Sequence, residues 1–559
     1  MPRSSKPTSL SPKTASADPR KTSSSRARKT ATKAATSTPD ADSTTESTKA
    51  SGKTAKAPKP SSKTASKTSS KTSAKPAKSG KASAFTDAKL ADTATPEIAT
   101  PASAARWLNE RVDIERMRVV RYSDDAFKLD RMRALLEHLG NPHEQIRTIH
   151  VGGTNGKGGT VAMLASMLEG CGYTVGSFTS PHLIDLRERI SIGGVPIDRT
   201  AFVESTRAVA EASAKLDSPP TFFEALTAVA FKHFAEQAVD MAIIEVGLGG
   251  RLDSTNVITP EVSIITSIDL DHTRLLGSSR EAIAREKAGI FKPGVPALVF
   301  DPDSAIEQVF RDVAESVGAP LRIVNKDIEF SSRFCSSADL GPHTRVCLYT
   351  QTSRLEHLPV PLPGEHQAGN CGLALAAIDI LRGDGLDCPE DKVTAGLAST
   401  RIPGRMQLVH ERPKVLVDGA HNPAAITALM KCVGAHVPYD SMVCIFGCCS
   451  DKDVEEMLDR VSLGADKVIF TKSTSNPRAM EPQELQRRFA ERSGKMSQIG
   501  ETLKEALELA GRAVSREDLI CITGSFYLVG DAIRHFAEKN ASGRPKGDPA
   551  AVAASASVR

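Results

Sequence analysis

The chain is short of aromatic residues: its 559 residues include 1 Trp, 5 Tyr and 18 Phe. It holds no apolar run of about 18 residues, so no membrane-spanning helix is expected. No apolar segment follows the start, and no secretory signal is expected either. None of its 10 cysteines stands in a Cys-x-x-Cys pair. The adjacent Cys448 and Cys449 are badly placed to bond each other. A disulfide scaffold and a zinc or redox motif are therefore set aside in favour of free thiols in a reducing cytoplasm. Charge balance is missing at one end. The whole chain carries 72 Lys and Arg against 67 Asp and Glu; the first 90 residues hold 20 and 5 of these, leaving 52 and 62 for the rest. An acidic body with a basic tail is a poor nucleic-acid binder over most of its length, because such binding rests on neutralising phosphates.

Residues 1–95 lack the means to build a core. The first 90 contain no Val, no Ile and one aromatic residue, Phe85. Ser, Thr, Ala, Lys and Pro dominate, and such a segment cannot offset its ordering entropy by burial, so disorder is expected. Lysines recur at 53, 56, 59, 63, 67, 71, 75, 78 and 81. The favoured reading is a solvated appendage. A polycation making nonspecific contact with nucleic acid or anionic surfaces is the second reading. A transit peptide is the third, opposed by the segment's length and its bias to Lys over Arg.

From residue 104 the pattern becomes that of a folded protein, and the length predicts two or three units. Residues 104–140 read as helical, with Trp107, Leu108, Met117, Leu129, Met132, Leu135 and Leu136 available for packing. Thr148-Ile149-His150-Val151 reads as a buried strand. After a glycine-rich loop, Val161, Leu164, Leu168 and Cys171 repeat at helical spacing. Further buried strands are expected at 241–246, 262–266 and 297–300, with a helix at 280–291. Strands alternating with helices imply a mainly parallel sheet with both faces covered. Residues 327–362 alternate in short runs that suggest antiparallel strands. A second α/β series follows, with strands at 415–418, 442–446, 467–471 and 519–523. The expected organisation is a P-loop-type ATPase domain at 104–402, a Rossmann-like α/β domain at 403–540 with the boundary near 402–406, and a flexible tail at 541–559.

The strongest local signal is Gly152-Gly153-Thr154-Asn155-Gly156-Lys157-Gly158-Gly159-Thr160, between an expected strand and an expected helix. Backbone N–H groups of such a loop, with the helix N-terminus, form an anion site, and Lys157 can reach terminal phosphates. The usual P-loop spacing is not met in full: Val151 stands where its first Gly would be, and Gly158 where Ser or Thr is expected. Glu245 ends an apolar strand, where a buried carboxylate needs a metal or a cationic partner. Asp418-Gly419 would by itself read as a turn. Thr221-Phe222-Phe223-Glu224 reads equally well as a stacking surface for a flat heterocycle or as the start of a buried helix.

The run Gly153-Thr154-Asn155-Gly156-Lys157-Gly158 resembles the phosphate loop of folylpolyglutamate and dihydrofolate synthases, members of the Mur ligase superfamily. Thr179-Ser180-Pro181-His182-Leu183 with Glu188-Arg189-Ile190 is similar to that family's second block. Glu245-Val246-Gly247-Leu248-Gly249-Gly250-Arg251-Leu252-Asp253 is similar to its third. Asp269-Leu270-Asp271-His272, Glu286-Lys287-Ala288-Gly289-Ile290, His366-Gln367 with Asn370, Pro403-Gly404-Arg405, Asp418-Gly419-Ala420-His421-Asn422, Asp451-Lys452-Asp453 and Gly524-Ser525-Phe526-Tyr527 follow in family order. The likeness spans roughly 104–540 and is of the bifunctional bacterial type.

The resemblance implies an ATP-dependent amide ligase that joins L-glutamate to 7,8-dihydropteroate and to the glutamate chain of reduced folates through an acyl phosphate. It implies Thr154, Asn155, Gly156, Lys157, Gly158, Asn370, Arg405 and Asp418 at ATP, with Asn370 near adenine and Asp418 on the ribose. Ser180, Glu245 and His272 would hold Mg²⁺. Lys287 would be carbamylated near a second metal, and Lys157, Lys287 and His272 would be the catalytic group. Thr221, Phe222, Phe223 and Arg251 would line the pteroate or folate site, while His421 and Ser525 would serve the incoming glutamate. Gly159 departs from the family loop, which carries Ser or Thr there, and Thr160 comes next; weaker nucleotide binding at most is expected. A cytoplasmic monomer is expected. The alternatives are a Mur-type amino-acid ligase with another carboxylate acceptor, and a nucleotide-dependent interaction protein docked by its basic tail.

Overall fold

The computed structural model describes residues 97–113, 129–300 and 302–542. The expectation for 1–95, that for Met117 and nearly all of that for 541–559 lie outside them. Residues 541 and 542 end the last helix, Phe526–Ser542.

Two sheets, each clad in helices, organise the described chain. The first has eight strands: β1 (Thr148–Gly152), β2 (Val175–Phe178), β3 (Ile190–Ile192), β4 (Val195–Pro196), β5 (Met241–Glu245), β6 (Val262–Ile265), β7 (Ala297–Phe300) and β8 (Leu321–Val324). Their order is β4-β3-β2-β5-β1-β6-β7-β8. The ladders from β2 through β8 are parallel, and β3 and β4 add an antiparallel edge. A three-stranded antiparallel sheet follows: β9 (Glu329–Ser337), β10 (Gly341–Tyr349) and β11 (Arg354–Pro359). The last sheet contains β12 (Gln407–Glu411), β13 (Lys414–Val417), β14 (Met442–Phe446), β15 (Lys467–Phe470), β16 (Ser497–Ile499) and β17 (Leu519–Thr523), ordered β12-β13-β17-β14-β15-β16. It is parallel apart from the β12–β13 pair. The α/β reading and the antiparallel reading of 327–362 both hold.

Alternation along the central strands explains the two faces of the first sheet. Ile149 and Val151 on β1 and Ile243 on β5 pack with the helices Lys157–Gly170 and His366–Gly383. Ala242 and Ile244 face the other way, onto the helix Phe222–Glu236. Every residue of β1 and of β5 is buried, as expected where helices cover both faces. β2 escaped the sequence reading because it is short and carries Gly176-Ser177. A Cβ on Gly176 would sit 2.9 Å from the Phe234 ring, so the aromatic ring from the helix fills the space that a strand residue usually occupies.

The two lobes, one around the first sheet and one around the last, are in close contact at Leu183. Leu183, in the loop after β2, packs into the core of the second lobe. A Cβ on Gly530 would lie 2.0 Å from the Leu183 carbonyl oxygen. Between the lobes, Met406 takes a left-handed backbone, φ 44°. Its N–H donates to Asp418 Oδ2 over 2.9 Å, and the N–H of Ala420 donates to Asp418 Oδ1 over 2.9 Å.

Candidate active site

β1 lies between β5 and β6, and its C-terminal end opens into the glycine-rich loop. In parallel sheets the crevice beyond the strand ends is where ligands bind. Gly153 has φ 133°, and a Cβ there would collide with Thr266 Oγ1 at 1.8 Å. Gly156 has φ 91° and caps the helix Lys157–Gly170; its Cβ would meet Asn370 Oδ1 at 2.4 Å. Both positions therefore require glycine, in conformation and in space. Neighbouring strands fix the loop: Thr154 N donates to Ser267 O over 2.7 Å, and Thr266 Oγ1 to Asn155 O over 2.7 Å. Lys157 Nζ folds back on the carbonyls of Gly153 and Thr154, 3.2 Å from each. The Thr160 hydroxyl donates to Gly156 O over 3.2 Å inside the helix and is fully buried. It is spent on the helix backbone.

The loop opens on a cleft of about 680 Å³ between the two lobes, a volume typical of a small-molecule site. All residues expected at nucleotide, metal and glutamate line this one cleft. Glu245, at the end of β5, is 4% exposed. Its Oε2 accepts the Ser180 N–H at 3.1 Å. Burial raises its carboxyl, against the pull of Lys157, Ser180, Arg405 and Arg189. Among the described residues no cation lies within ion-pairing distance of it. A buried carboxylate with one backbone donor fits a cation-binding role.

His272 caps the short helix Thr273–Leu276 with φ 50°. Its side chain is 37% exposed, yet enclosure by the cleft, then Lys452, drives its imidazole down to about 3. A neutral imidazole can serve as a metal ligand. No cluster of three or more His, Cys, Asp or Glu forms a cage among the described residues.

Lys287, on the helix Arg280–Ala288, is 6% exposed and donates to Gly153 O over 2.8 Å. Burial, then Lys157, lowers its ammonium to about 7. It is therefore not a surface helix lysine. Asn370 and Gln367 meet on the helix His366–Gly383, with Asn370 Nδ2 donating to Gln367 Oε1 over 2.9 Å. Gln367 Oε1 lies 2.8 Å from where a Cβ of Gly159 would stand, so the amide fills the space left by the missing side chain.

The second lobe supplies the opposite wall from the ends of its strands. The Arg405 guanidinium lies 4.6 Å from the Phe526 ring centre, and its Nη1 is 3.9 Å from Asp418 Oδ1. His421 packs on Phe526 with ring centres 5.4 Å apart. Enclosure, then Lys452, brings its imidazole to about 4. Ser525 is 6% exposed, and its Oγ accepts the Tyr527 N–H at 3.2 Å.

The four residues expected at the pteroate do not line this cleft. Thr221 and Glu224 form a capping box at the start of the helix Phe222–Glu236. Thr221 Oγ1 accepts the Glu224 N–H at 3.2 Å, and Glu224 Oε2 accepts the Thr221 N–H at 2.7 Å. Phe222 is 1% exposed and belongs to the core, as the buried-helix reading of this segment has it. Phe223 alone remains for stacking: its ring presses on Gly247, where a Cβ would lie 2.4 Å away. Gly247 does line the cleft. Arg251 Nη2 pairs with Glu286 Oε1 at 3.1 Å near the surface.

The structure adds residues to which the sequence assigned no role. Lys452 Nζ reaches across the lobes to Asp271 Oδ1 at 2.6 Å. Asn422 Nδ2 donates to Asn155 Oδ1 over 2.9 Å, also across the lobes. Arg478 lines the cleft and pairs with Asp451 at 3.0 Å. Lys452 and Arg478 follow the ends of β14 and β15, so the strand-end rule was the available signal.

Two family profiles match: the Mur ligase middle domain over residues 151–378 and the Mur ligase glutamate ligase domain over 404–526. The chain is 36% identical over 409 residues to a dihydrofolate synthase/folylpolyglutamate synthase of Bacillus subtilis (strain 168), covering 72% of this chain and 93% of that one. Among solved structures it is similar to Mycobacterium tuberculosis folylpolyglutamate synthase complexed with ADP and AMPPCP, with TM-score 0.70, 32% identity and coverage of 79% and 98%. It is likewise similar to E. coli FolC in complex with DHPP and ADP, with TM-score 0.69, 31% identity and coverage of 80% and 100%.

Proposed function

Because the chain belongs to the folylpolyglutamate and dihydrofolate synthases of the Mur ligase family, we propose that its interlobe cleft is the site where ATP activates a folate carboxylate for attack by glutamate. The protein is an ATP-dependent ligase that adds L-glutamate to folates. The finer reading is that it serves both 7,8-dihydropteroate and the terminal glutamate of reduced folates. The observation that supports it is the convergence of the phosphate loop, Glu245 and the second-lobe wall on one cleft.

In this reading the loop N–H groups and Lys157 hold the phosphates, and Arg405 and Asp418 approach from the second lobe as the lobes close. Asn370 borders the base. Lys157 leaves its two backbone carbonyls to follow the terminal phosphate. The γ-phosphoryl group passes to the substrate carboxylate, giving ADP and an acyl phosphate. The glutamate ammonium gives one proton to solvent and its nitrogen attacks the acyl carbon; a C–N bond forms, the C–O bond to phosphate breaks, and the departing phosphate takes the second proton from nitrogen. Ser180, Glu245 and His272 would hold Mg²⁺, which supplies charge neutralisation for the phosphates when bound. Lys287 has the partly neutral amine that carbamylation requires. His421 and Ser525, with Lys452 and Arg478, face the two carboxylates of glutamate. The acceptor's ring system would lie on the Phe223 side, behind Gly247, with Arg251 at its rim.

The 10 cysteines, all free, support a cytoplasmic setting, and a single chain as the working unit stays part of the proposal. Release of ADP with dihydropteroate and with tetrahydrofolate, each with and without glutamate, tests the reading. ADP release that depends on both acceptor and glutamate is expected. Release with only one of the two acceptors would reduce the enzyme to a single activity.

A further inference from the structure

Lys452 and Asp271 come from different lobes. Asp271 follows β6 of the first sheet, and Lys452 follows β14 of the second. Their side chains are 9% and 10% exposed and meet at 2.6 Å. Among the described residues Asp271 is the one carboxylate within ion-pairing distance of Lys452. Neighbouring groups complete the junction: Asn422 Nδ2 lies 3.3 Å from Asp271 Oδ2, and His421 Nε2 3.9 Å from the same oxygen. Asn422 in turn holds the phosphate-loop residue Asn155.

We propose that Asp271 is a positioning residue for Lys452: it holds the lysine ammonium at the cleft wall, where a carboxylate of the incoming amino acid takes it up. The inference rests on the ligase reading above and names a residue that sets glutamate affinity without touching glutamate.

A lysine stem has many rotamers, and an unpaired ammonium would seek water outside the cleft. A buried charge is tolerated when paired, and strongly disfavoured when its partner is removed. Asp271 thus fixes where the ammonium stands. An ammonium has three N–H donors. Asp271 Oδ1 takes one, and the remaining two can face a substrate carboxylate on the side shared with Arg478, His421 and Ser525. The substrate can therefore join the pair without first breaking it. Because the partners sit on separate lobes, the carboxylate site is complete only when the lobes are together. Glutamate binding and lobe approach are coupled through this one pair, in the manner of any two events that share a contact.

The test is a double-mutant cycle in the full chain with Asp271→Asn, Lys452→Gln and both together. Glutamate KM, ATP KM and kcat are measured with a folate acceptor. Asp271→Asn is expected to raise glutamate KM about tenfold or more, within the usual span of coupling between sites, while ATP KM changes by less than about threefold. In the Lys452→Gln background the same change is expected to add nothing to glutamate KM. Small-angle scattering is expected to show each single variant more open than the wild type, and the double variant no more open than either. Additive effects on glutamate KM, or equal rises in every KM, would overturn the positioning role and leave a merely structural one. If the wild type lengthens no folate at all, the parent reading falls; if it does and Asp271→Asn leaves glutamate KM unchanged, only this inference falls.

Discussion

Lys287 donates a 2.8 Å hydrogen bond to the carbonyl of Gly153, so a lysine on one helix is tied to the turn that begins the phosphate loop. Burial and the nearby Lys157 hold its ammonium at about 7. Both effects favour the uncharged amine, which is the form that adds carbon dioxide.

Activity is therefore expected to rise as pH increases through about 7, more steeply with bicarbonate present than without. Below that pH the protonated amine dominates and carbamate cannot form. A pH–rate profile with and without bicarbonate checks this, and a profile insensitive to bicarbonate would remove carbamylation from the account. Lys287→Ala is expected to lower kcat by about a hundredfold.

Lys157→Ala is expected to lower kcat by about a hundredfold or more, the usual scale for losing one preorganised charge at a developing oxyanion. Turnover near that of the wild type would take Lys157 out of the phosphoryl-transfer step.

The two adjacent phenylalanines should separate cleanly. Phe222→Ala empties a core position and is expected to cost about 3–5 kcal/mol of stability, read in denaturant titrations. Phe223→Ala is expected to cost less stability and to raise the KM of the pterin-bearing acceptor several-fold. The reverse pattern would assign stacking to the other ring.

Gly530→Ala places a methyl group where the Leu183 carbonyl oxygen stands 2.0 Å away. Overpacking of this kind costs about 1–3 kcal/mol. A lower melting temperature, with a raised KM for both ATP and glutamate, is expected, because the displaced contact joins the lobes. An unchanged melting curve would show that the lobes reseat freely.

The layout of both sheets was legible because long buried strands announce themselves. β1, β5, β14 and β17 are buried throughout and mostly apolar. Short or weakly apolar strands were not legible: β2 carries Gly176, β16 has three residues, and β12 is exposed at Leu408. The phosphate loop could be read from its glycines, two of which, Gly153 and Gly156, supply a backbone shape that other residues resist. At Phe222 the sequence left two readings open, and Thr221-x-x-Glu224, a capping signal, was the hint that a helix begins there. Lys452 could not have been paired with Asp271 from sequence, since 181 positions separate them and only the packing of two lobes brings them together.

Asp418 carries a final consequence. Its two oxygens grip the N–H groups of Met406 and Ala420, and Gly419 N–H donates to Gly404 O over 2.9 Å. The segment from 404 to 420 is thereby stitched into one stiff wedge. Any swing of the second lobe is expected to carry that wedge along whole, with the bending upstream of it, among Thr400, Arg401, Ile402 and Pro403.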